Sequence, residues 1–354
     1  MAVMKNVCAL AAALLLCCSL SAEPAPKPAA KPAAASKDLH IYWIDMEGGA
    51  STLIVAPSGE SLLVDTGIPV QEEVQRIYDM ATKVAHLKKL DYVLITHYHG
   101  DHVGGLPALS KMIQIDHFLD HGDLTFETEK PNMMKGWNAY KAAADDHRTT
   151  MHPGDNLPLK GVNITVVSAA GETITKPING GGPNEALCKD APLKPADRDP
   201  ENSASVGILL KYGKFRFVDL GDFPWYQEQL LACPTNMLGH VDVYQTTHHG
   251  TDRSGSPQLV YALHPTVAVM NNGPTRGDQS TFEIVKKSPG LEDLWQGHLA
   301  LKVDKSYQAD EKFIASLDDT EHCKGNWIQL TVKPDGHYTV TNTRNNFSKT
   351  YRSK

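Results

Sequence analysis

The chain has 354 residues and a formal net charge of −7 at pH 7. This length is enough for one large core, and the absence of any fixed-period repeat excludes a solenoid or a propeller. The acidic balance and the lack of a long Lys/Arg run argue against a dedicated nucleic-acid surface, although an acidic chain can still hold a basic cleft.

The first 22 residues have the pattern of a secretory signal peptide. Lys5 precedes an apolar segment from Val7 to Leu20, and small residues follow. The segment is too short and too lightly flanked for a stable membrane span. We therefore expect a periplasmic or secreted protein without a transmembrane segment after signal removal. Residues 23–37 are expected to form a Pro- and Ala-rich linker, and residues 38–354 the folded domain.

Three of the six cysteines lie within the signal segment, so Cys188, Cys233 and Cys323 remain. In an oxidising compartment, an odd number allows one disulfide and one free thiol, and the sequence leaves the pairing open. None of the three has a CxxC-type neighbour, so cysteine is not the expected metal ligand.

The first half of the domain reads as a strand meander followed by strand–helix alternation. Apolar residues at spacings of three and four predict an amphipathic helix over residues 71–87. Residues 171–200, rich in Gly and Pro, are expected to form a surface loop beside the site. The remaining predictions are strands over 41–44, 52–55, 61–64, 90–95, 113–119 and 162–168, and helices over 106–112 and 131–145.

The second half repeats this order, with strands over 205–210, 215–220, 241–245, 266–270, 327–332 and 337–340, and helices over 225–231, 257–263 and 281–287. Two halves of this kind predict an α/β (α+β) fold in which two sheets pack face to face and helices cover both outer faces. The region from about residue 299 is expected to be a C-terminal extension, and no motif assigns it a role.

The densest group of chemically active side chains follows the strand predicted over 90–95. Residues two apart in an extended segment point the same way, so His97 and His99 can converge on one point. Asp101 and His102 come after a turn at Gly100 and can face a second point nearby. Imidazole and carboxylate are ligands of zinc, manganese and iron, so the segment predicts a metal site.

Polar residues also stand at the ends of other predicted strands. Asp222 could bridge two metal ions, and one of His248 and His249 could complete the second ion's ligands. Two divalent ions about 4 Å apart would bind and deprotonate a water between them. Zinc is the first choice, with manganese or iron as alternatives. Asp65 either orients a ligand histidine from outside or only forms a turn or a helix cap.

The segment from His97 to His102 matches the HxHxDH signature of the metallo-β-lactamase superfamily. Asp65-Thr66-Gly67 and Leu220-Gly221-Asp222 are similar to two further motifs of that superfamily. The resemblance implies an αββα sandwich of two mixed β-sheets flanked by helices, with a di-metal centre between the sheets.

Within the superfamily, the chain most resembles the ComEC-like branch, named after the hydrolase domain of a competence protein. The likeness rests on Asp45 to Ala50, Asn202 to Ser205 and His248 to Thr251. It implies a substrate contact for Asn202, and Asn271, at a strand end, is a second candidate for such a contact.

One feature of lactamase- and lactonase-like members is missing, namely a lone histidine that completes the first metal site. The candidates His117, His121, His147 and His152 lack the expected glycine-rich context, although His152 is retained as an outside candidate. The first metal is therefore expected to have only His97, His99, Asp222 and water.

The expected protein is an exported hydrolase that uses a metal-bridged hydroxide on a phosphate ester or other ester-like bond. Asp101 is expected to be a metal ligand or the proton acceptor, and His248 or its neighbour to contact the substrate or leaving group. Alternatives are a β-lactam or lactone hydrolase, or a non-catalytic metal-containing binding protein of the same fold. The substrate would be a small molecule or a phosphodiester; the net charge does not favour nucleic acid, and the oligomeric state stays open.

Overall fold

The computed structural model describes residues 37–124, 131–189, 199–318 and 323–354. The predicted signal peptide, and the predicted linker apart from its last residue, lie outside the described residues.

The elements of the first half largely follow the predicted order, with small shifts at their ends. The predicted helix over 71–87 is divided, because α1 continues as one π-helical stretch over Met80–Val84. The elements are β1 (Leu39–Ile44), β2 (Thr52–Val55), β3 (Ser61–Val64), α1 (Gln71–Asp79), β4 (Lys89–Leu94), α2 (Gly100–Val103), α3 (Leu106–Leu109), β5 (Gln114–Asp120), α4 (Pro131–Ala144), β6 (Arg148–Thr150), β7 (Asn156–Leu157), β8 (Asn163–Ala169), β9 (Glu172–Thr173), β10 (Gly182–Pro183) and α5 (Glu185–Cys188).

The second half contains four strands that the sequence did not predict, β13, β16, β17 and β20. The elements are α6 (Pro200–Ser203), β11 (Gly207–Tyr212), β12 (Phe215–Asp219), α7 (Trp225–Ala232), β13 (Thr235–Asn236), β14 (Val243–Gln245), α8 (Pro257–Leu263), β15 (Val267–Met270), α9 (Gln279–Lys286), β16 (Asp293–His298), β17 (Ile314–Ser316), β18 (Trp327–Val332), β19 (His337–Asn342) and β20 (Phe347–Arg352).

Two large mixed sheets contain these strands except β10 and β13, which pair with each other. The first has the order β20-β19-β18-β1-β2-β3-β4-β5-β6, and the second has the order β17-β16-β15-β14-β12-β11-β8-β7, with β9 paired to β8. Strands β3 to β6 are parallel to one another, and so are β12, β14, β15, β16 and β17. The carboxyl ends of these parallel strands are where loops can gather chemical groups.

The inner faces of the two sheets pack against each other, and helices cover their outer faces. Between the sheets, the rings of Trp43 and Phe217 lie 5.8 Å apart edge to face, and Trp43 Nε1 donates to Gln245 Oε1 at 2.6 Å. A separate apolar cluster joins the outer face of the first sheet to α1, α3 and α4. Residues of α7, α8 and α9 pack with the second sheet in the main core. The predicted αββα class is confirmed.

The region after residue 299 is built into both sheets. Strand β17 pairs with β16 in the second sheet, and β18 pairs with β1 in the first, where β19 and β20 extend the edge. Strand β16 escaped prediction because it buries polar residues: Gln296 and His298 are fully buried within it. Their polar atoms interrupt the apolar pattern that marks a buried strand.

A disulfide joins Cys188 to Cys233, and Cys323 is buried and forms no disulfide within the described part of the chain. Within the described residues, no helix combines the length and the apolar composition needed to cross a membrane.

Candidate metal centre

The predicted site residues of the two sheets lie at the ends of parallel strands. Asp65 follows β3, the segment from His97 follows β4, Asp222 follows β12, and the pair His248-His249 follows β14. The two sheets are joined at this edge, where the backbone N–H of Val206 donates to the carbonyl of Thr96 at 2.9 Å. Residues more than a hundred positions apart are thereby brought together.

The carboxylate of Asp222 lies in the middle of the cluster, with histidine nitrogens on both of its oxygens. Oδ1 is 3.3 Å from His102 Nε2 and 3.5 Å from His249 Nε2. Oδ2 is 3.2 Å from His248 Nε2 and 4.0 Å from His97 Nε2. A carboxylate placed in this way could offer one oxygen to each of two metal ions.

One side of this cluster forms a compact set of four donors. Asp101, His102, Asp222 and His249 each offer one atom, and all four atoms lie within 4.8 Å of one another. His249 Nε2 is 3.2 Å from His102 Nε2 and 3.6 Å from Asp101 Oδ2. The short helix α2 carries Asp101 and His102 side by side, so both reach the same point.

On the other side, His97 and His99 converge. His97 Nε2 lies 2.9 Å from His99 Nδ1, and the opposite ring nitrogen of His99, Nε2, lies 3.2 Å from Asp199 Oδ2. The sequence did not single out Asp199. It stands before Pro200 and accepts a hydrogen bond from the N–H of Glu201, a pattern that indicates only a helix cap.

Four histidines are held from outside by one ring nitrogen and turn the other toward Asp222. Metal-binding histidines show this arrangement because the outer partner fixes both the ring orientation and the tautomer. The outer contacts are His102 Nδ1 to Asp65 Oδ2 at 2.7 Å, His97 Nδ1 to Thr96 Oγ1 at 3.1 Å, His248 Nδ1 to Ser254 Oγ at 3.3 Å and His249 Nδ1 to the Asn271 carbonyl at 3.3 Å. The donor set therefore fits divalent metal ions.

The backbone is strained where it presents these groups. Asp65, His248 and His249 all have left-handed conformations, with φ of 60°, 56° and 55°. Such a conformation costs a non-glycine residue about 1–3 kcal/mol and persists only when surrounding contacts hold it. The N–H of His248 donates to the carbonyl of Gly221 at 2.9 Å, which links the histidine pair to the loop that carries Asp222.

Burial and charge set the protonation of the cluster. Burial lowers the pKa of His97 well below its ordinary value and that of His249 to about 4, so both rings are neutral near pH 7. Burial opposes ionisation of Asp222, but His248, His102 and His249 together hold the pKa of its carboxyl well below the usual range. Neutral imidazoles and an ionised carboxylate are the forms that bind metal.

Arg276 is a further member of the site that sequence reasoning missed. Its Nη2 donates to Asp101 Oδ2 at 2.7 Å, and 32% of its side chain is exposed. A single arginine in the loop after β15 carries no recognisable pattern, so only the fold reveals its position.

None of the four histidines considered for the first metal joins the cluster. His117, His147 and His152 are exposed, so the interpretation of His152 as an outside candidate is wrong. His121 is buried, but its Nε2 is 2.9 Å from Glu201 Oε1. His117 lies on β5, His121 follows that strand, His147 ends a 3-10 turn, and His152 lies in the loop after β6. His248 is instead the further histidine on the Oδ2 side of Asp222.

The two candidates for substrate contact are less accessible than the sequence suggested. Asn202 is fully buried in α6. The segment from Asn202 to Ser205 contacts the centre through Ser205 instead. Ser205 Oγ accepts from the N–H of Asp222 at 3.3 Å and lies 3.5 Å from His97 Nδ1. Asn271 is also buried, and its backbone carbonyl rather than its side chain contacts His249.

Two sheets, flanking helices and a His/Asp cluster at their shared edge define the class of metal-dependent, hydrolase-like αββα proteins. A family model described as "Metallo-beta-lactamase superfamily" matches residues 45–173. This match confirms the predicted resemblance to the metallo-β-lactamase superfamily over that part of the chain.

Curated relatives share parts of the chain. "Recombination protein 2" of Haemophilus influenzae is 24% identical over 234 residues, which cover 65% of this chain and 24% of that protein. This similarity fits the ComEC-like branch. A "UPF0173 metal-dependent hydrolase" of Cupriavidus taiwanensis is 30% identical over 102 residues, covering 28% of this chain and 34% of that protein. The matches therefore span only about a quarter and a third of these relatives.

Solved structures that the chain is similar to include the metallo-beta-lactamase fold protein YhfI from Bacillus subtilis. The identity is 12%, the TM-score is 0.44, and the match covers 73% of this chain and 95% of that one. Igni18, a metallo hydrolase from Ignicoccus hospitalis, has 13% identity, a TM-score of 0.41, and coverage of 84% and 99%.

Proposed function

We propose that this protein is an exported metal-dependent hydrolase that cleaves a phosphate ester or another ester-like bond. The observation that carries the proposal is the position of Asp222, whose two carboxylate oxygens each lie near a different set of histidine nitrogens. A site that served only to stabilise the fold would need one closed ligand set rather than two sets sharing a carboxylate.

His97, His99 and Asp222 would hold one divalent ion, and Asp101, His102, Asp222 and His249 the other. When bound, such ions supply Lewis acidity, which lowers the pKa of a water molecule and stabilises negative charge on an acyl or phosphoryl oxygen. Zinc suits the imidazole and carboxylate donors best, and manganese or iron would also be accepted.

The residues around the ions would orient the substrate and exchange protons with it or with water. Asp101 is fixed by Arg276 at 2.7 Å, and His102, His249 and Arg276 keep its pKa below the usual range despite burial, so its carboxylate can accept a proton from water. His248 lies outside the compact set of four donors, and we assign it to contact with the substrate or the leaving group.

Arg276 favours a phosphate ester over a lactam or a lactone. Its partly exposed guanidinium lies against Asp101 and can donate to an anionic group of the substrate, and arginine matches phosphate oxygens in geometry and charge. The similarity to a relative named Recombination protein 2 also supports a phosphodiester, whereas the net charge of −7 counts against extended contact with nucleic acid.

The test is a substrate panel with the full chain reconstituted with zinc or manganese. The panel contains bis-p-nitrophenyl phosphate, single-stranded DNA, nitrocefin and a lactone. We expect turnover of the phosphodiester, its loss in Asp222→Asn, and unchanged turnover in His152→Asn, which alters an exposed histidine away from the site. A fully metal-loaded protein that hydrolyses none of the four compounds would contradict the proposal and favour a binding role.

A further inference from the structure

A second group of potential metal donors lies at Asp45, His298 and Cys323. Asp45 follows β1, His298 ends β16, and Cys323 stands shortly before β18. One donor atom of each lies within 4.8 Å of the other two, and all three residues are buried. The group is composed of one carboxylate, one imidazole and one thiol, and it shares no residue with the cluster around Asp222.

The internal contacts of this group are short. Cys323 Sγ donates to Asp45 Oδ2 at 3.1 Å. Asp45 uses its other oxygen, Oδ1, to accept the N–H of Glu47 at 3.0 Å. One oxygen and the sulfur are therefore directed at a common point, while the remaining oxygen fixes the carboxylate.

His298 supplies an independent indication of a ligand. The ring nitrogen Nδ1 lies 3.0 Å from the carbonyl of Leu299, which fixes the proton on Nδ1 and leaves a lone pair on Nε2. His298 is fully buried, and its Nε2 has no hydrogen-bond partner among the residues that the structure describes. A buried polar atom without a partner costs about 1–3 kcal/mol, so a group that accepts this lone pair would stabilise the fold.

We propose that Asp45, His298 and Cys323 bind a divalent metal ion of the zinc type, separate from the centre at Asp222. Thiolate, imidazole and carboxylate together form a donor set that zinc accepts, and three protein ligands leave a fourth position for water or another group. On binding, the Cys323 thiol releases its proton to solvent and the sulfur lone pair forms the bond to the metal, with no change in oxidation state.

Arg76 holds two of the three ligands in place. Its Nη1 donates to the carbonyl of Asp45 at 2.8 Å, and its Nη2 donates to the carbonyl of Cys323 at 2.9 Å and to Glu47 Oε1 at 2.6 Å. Asp45 and Cys323 are 278 positions apart in the chain, and the Arg76 guanidinium joins the two segments that carry them.

The position of the site gives it a structural role beside the Asp222 centre. The backbone of His298 is bound to Asn272, whose Nδ2 donates to the His298 carbonyl at 2.8 Å. Asn272 follows Asn271, the residue whose carbonyl contacts His249. A metal at Asp45, His298 and Cys323 would thus fasten β1, β16 and the segment before β18 next to the loop that supports His249.

Cobalt substitution tests the site without any measurement of hydrolysis. Only a thiolate ligand gives an intense sulfur-to-cobalt charge-transfer band, and the Asp222 centre contains no cysteine. We expect this band when the full chain is loaded with Co²⁺. It should vanish in Cys323→Ser and persist in the double variant His97→Ala/His99→Ala, whose main centre is impaired.

His298→Gln provides a second variant that keeps the thiol. We expect it to weaken or abolish the band and to lower the bound metal by about one equivalent, with the fold checked by circular dichroism. The proposal is overturned if wild-type protein with a loaded Asp222 centre gives no band, or if the band survives in Cys323→Ser and therefore comes from the N-terminal cysteines. Neither outcome bears on the hydrolase proposal, because the two sites share no ligand.

Discussion

The carboxylate of Asp65 illustrates how single residues outside the donor set govern the centre. Oδ2 accepts from Thr96 Oγ1 at 2.7 Å and lies 2.7 Å from His102 Nδ1, while Oδ1 accepts the N–H of Thr96 at 2.8 Å. These bonds fix Asp65 in its left-handed conformation and fix the tautomer of His102 in turn. The sequence placed Asp65 at the end of a strand but left a simple turn residue as the alternative.

Replacing Asp65 by Asn should weaken metal binding roughly 10- to 100-fold, because the amide cannot accept from His102 as strongly and removes a negative charge beside it. Competition with a chelator at pH 7 measures the affinity. Asp79→Asn serves as the control. Asp79 is the last residue of α1 and pairs with Lys83 rather than with a histidine of the centre, so the affinity should stay unchanged. An unaltered affinity in Asp65→Asn would show that Asp65 acts only as a turn residue.

The two adjacent histidines should behave differently when each is replaced by Gln. His249 belongs to the compact set of four donors, so His249→Gln should lose about one equivalent of metal. His248 lies on the other oxygen of Asp222, so His248→Gln should retain metal but lose turnover. Metal content by elemental analysis, measured with kcat, separates the two. Loss of metal from His248→Gln would instead make His248 a ligand of the first ion.

Glu73 should make stability depend on pH. Burial, with a contribution from Glu47, raises the pKa of its carboxyl from 4.5 to about 8, and Oε2 has no hydrogen-bond partner among the described residues. The folded state therefore keeps a proton that the unfolded state releases, so the free energy of unfolding contributed by this group falls as pH rises from 4.5 to about 8.

In Glu73→Gln the fall in the free energy of unfolding with rising pH should disappear. The melting temperature of the variant should equal that of the wild type near pH 4 and exceed it by a few degrees above pH 8, as thermal unfolding across this range would measure. Glu72→Gln, on the same turn of α1 but exposed, is the matched control. A difference between Glu73→Gln and wild type that does not vary with pH would contradict the expectation.

At the scale of elements, the left-handed turn after β14 presents both histidines to Asp222. Gly250 continues the turn with φ of 74°, and a Cβ at this position would lie 2.6 Å from Met270 Sδ on β15. The turn therefore depends on a glycine that lets β14 and β15 lie close together. The sequence predicted strands before and after this turn, but no local pattern indicated its handedness.

Gly250→Ala should destabilise the protein by about 1 kcal/mol or more, because a left-handed backbone disfavours a side chain and Met270 must move. Displacement of the turn should also reduce bound metal. Gly59→Ala separates the cost of the left-handed backbone from the contact with Met270. Gly59 has φ of 88°, but no described residue lies within 4 Å of an added Cβ. It should lower the melting temperature slightly and leave metal content intact; equal effects of both variants would contradict the role of packing against Met270.

At the scale of the whole molecule, apolar runs located most strands and their ends, because burial between two sheets demands continuous hydrophobic segments. Strand β16 was missed since it buries Gln296 and His298. Arg276 and Asp199 were missed because a single charged residue in a loop has no periodicity. The group at Asp45, His298 and Cys323 is assembled by pairing of distant strands, which no local spacing reveals.

The signal-like N-terminus predicts that the full chain is exported. The apolar segment from Val7 to Leu20 resembles a signal peptide, and the Cys188–Cys233 disulfide is of the kind that persists in an oxidising compartment. Expressed in a bacterium from its full sequence, the protein should be recovered outside the cytoplasm, shortened by about 22 residues, with Cys188 and Cys233 protected from alkylation.

Leu14→Arg, which places a charge in the apolar segment, is the matched control. It should remain in the cytoplasm at full mass, with Cys188 and Cys233 open to alkylation, because a charged residue at the centre of the apolar core prevents recognition of the signal. Cell fractionation with mass spectrometry distinguishes the two proteins. Recovery of the wild-type chain in the cytoplasm at full mass would exclude export, and the search for a substrate would then turn to cytoplasmic esters.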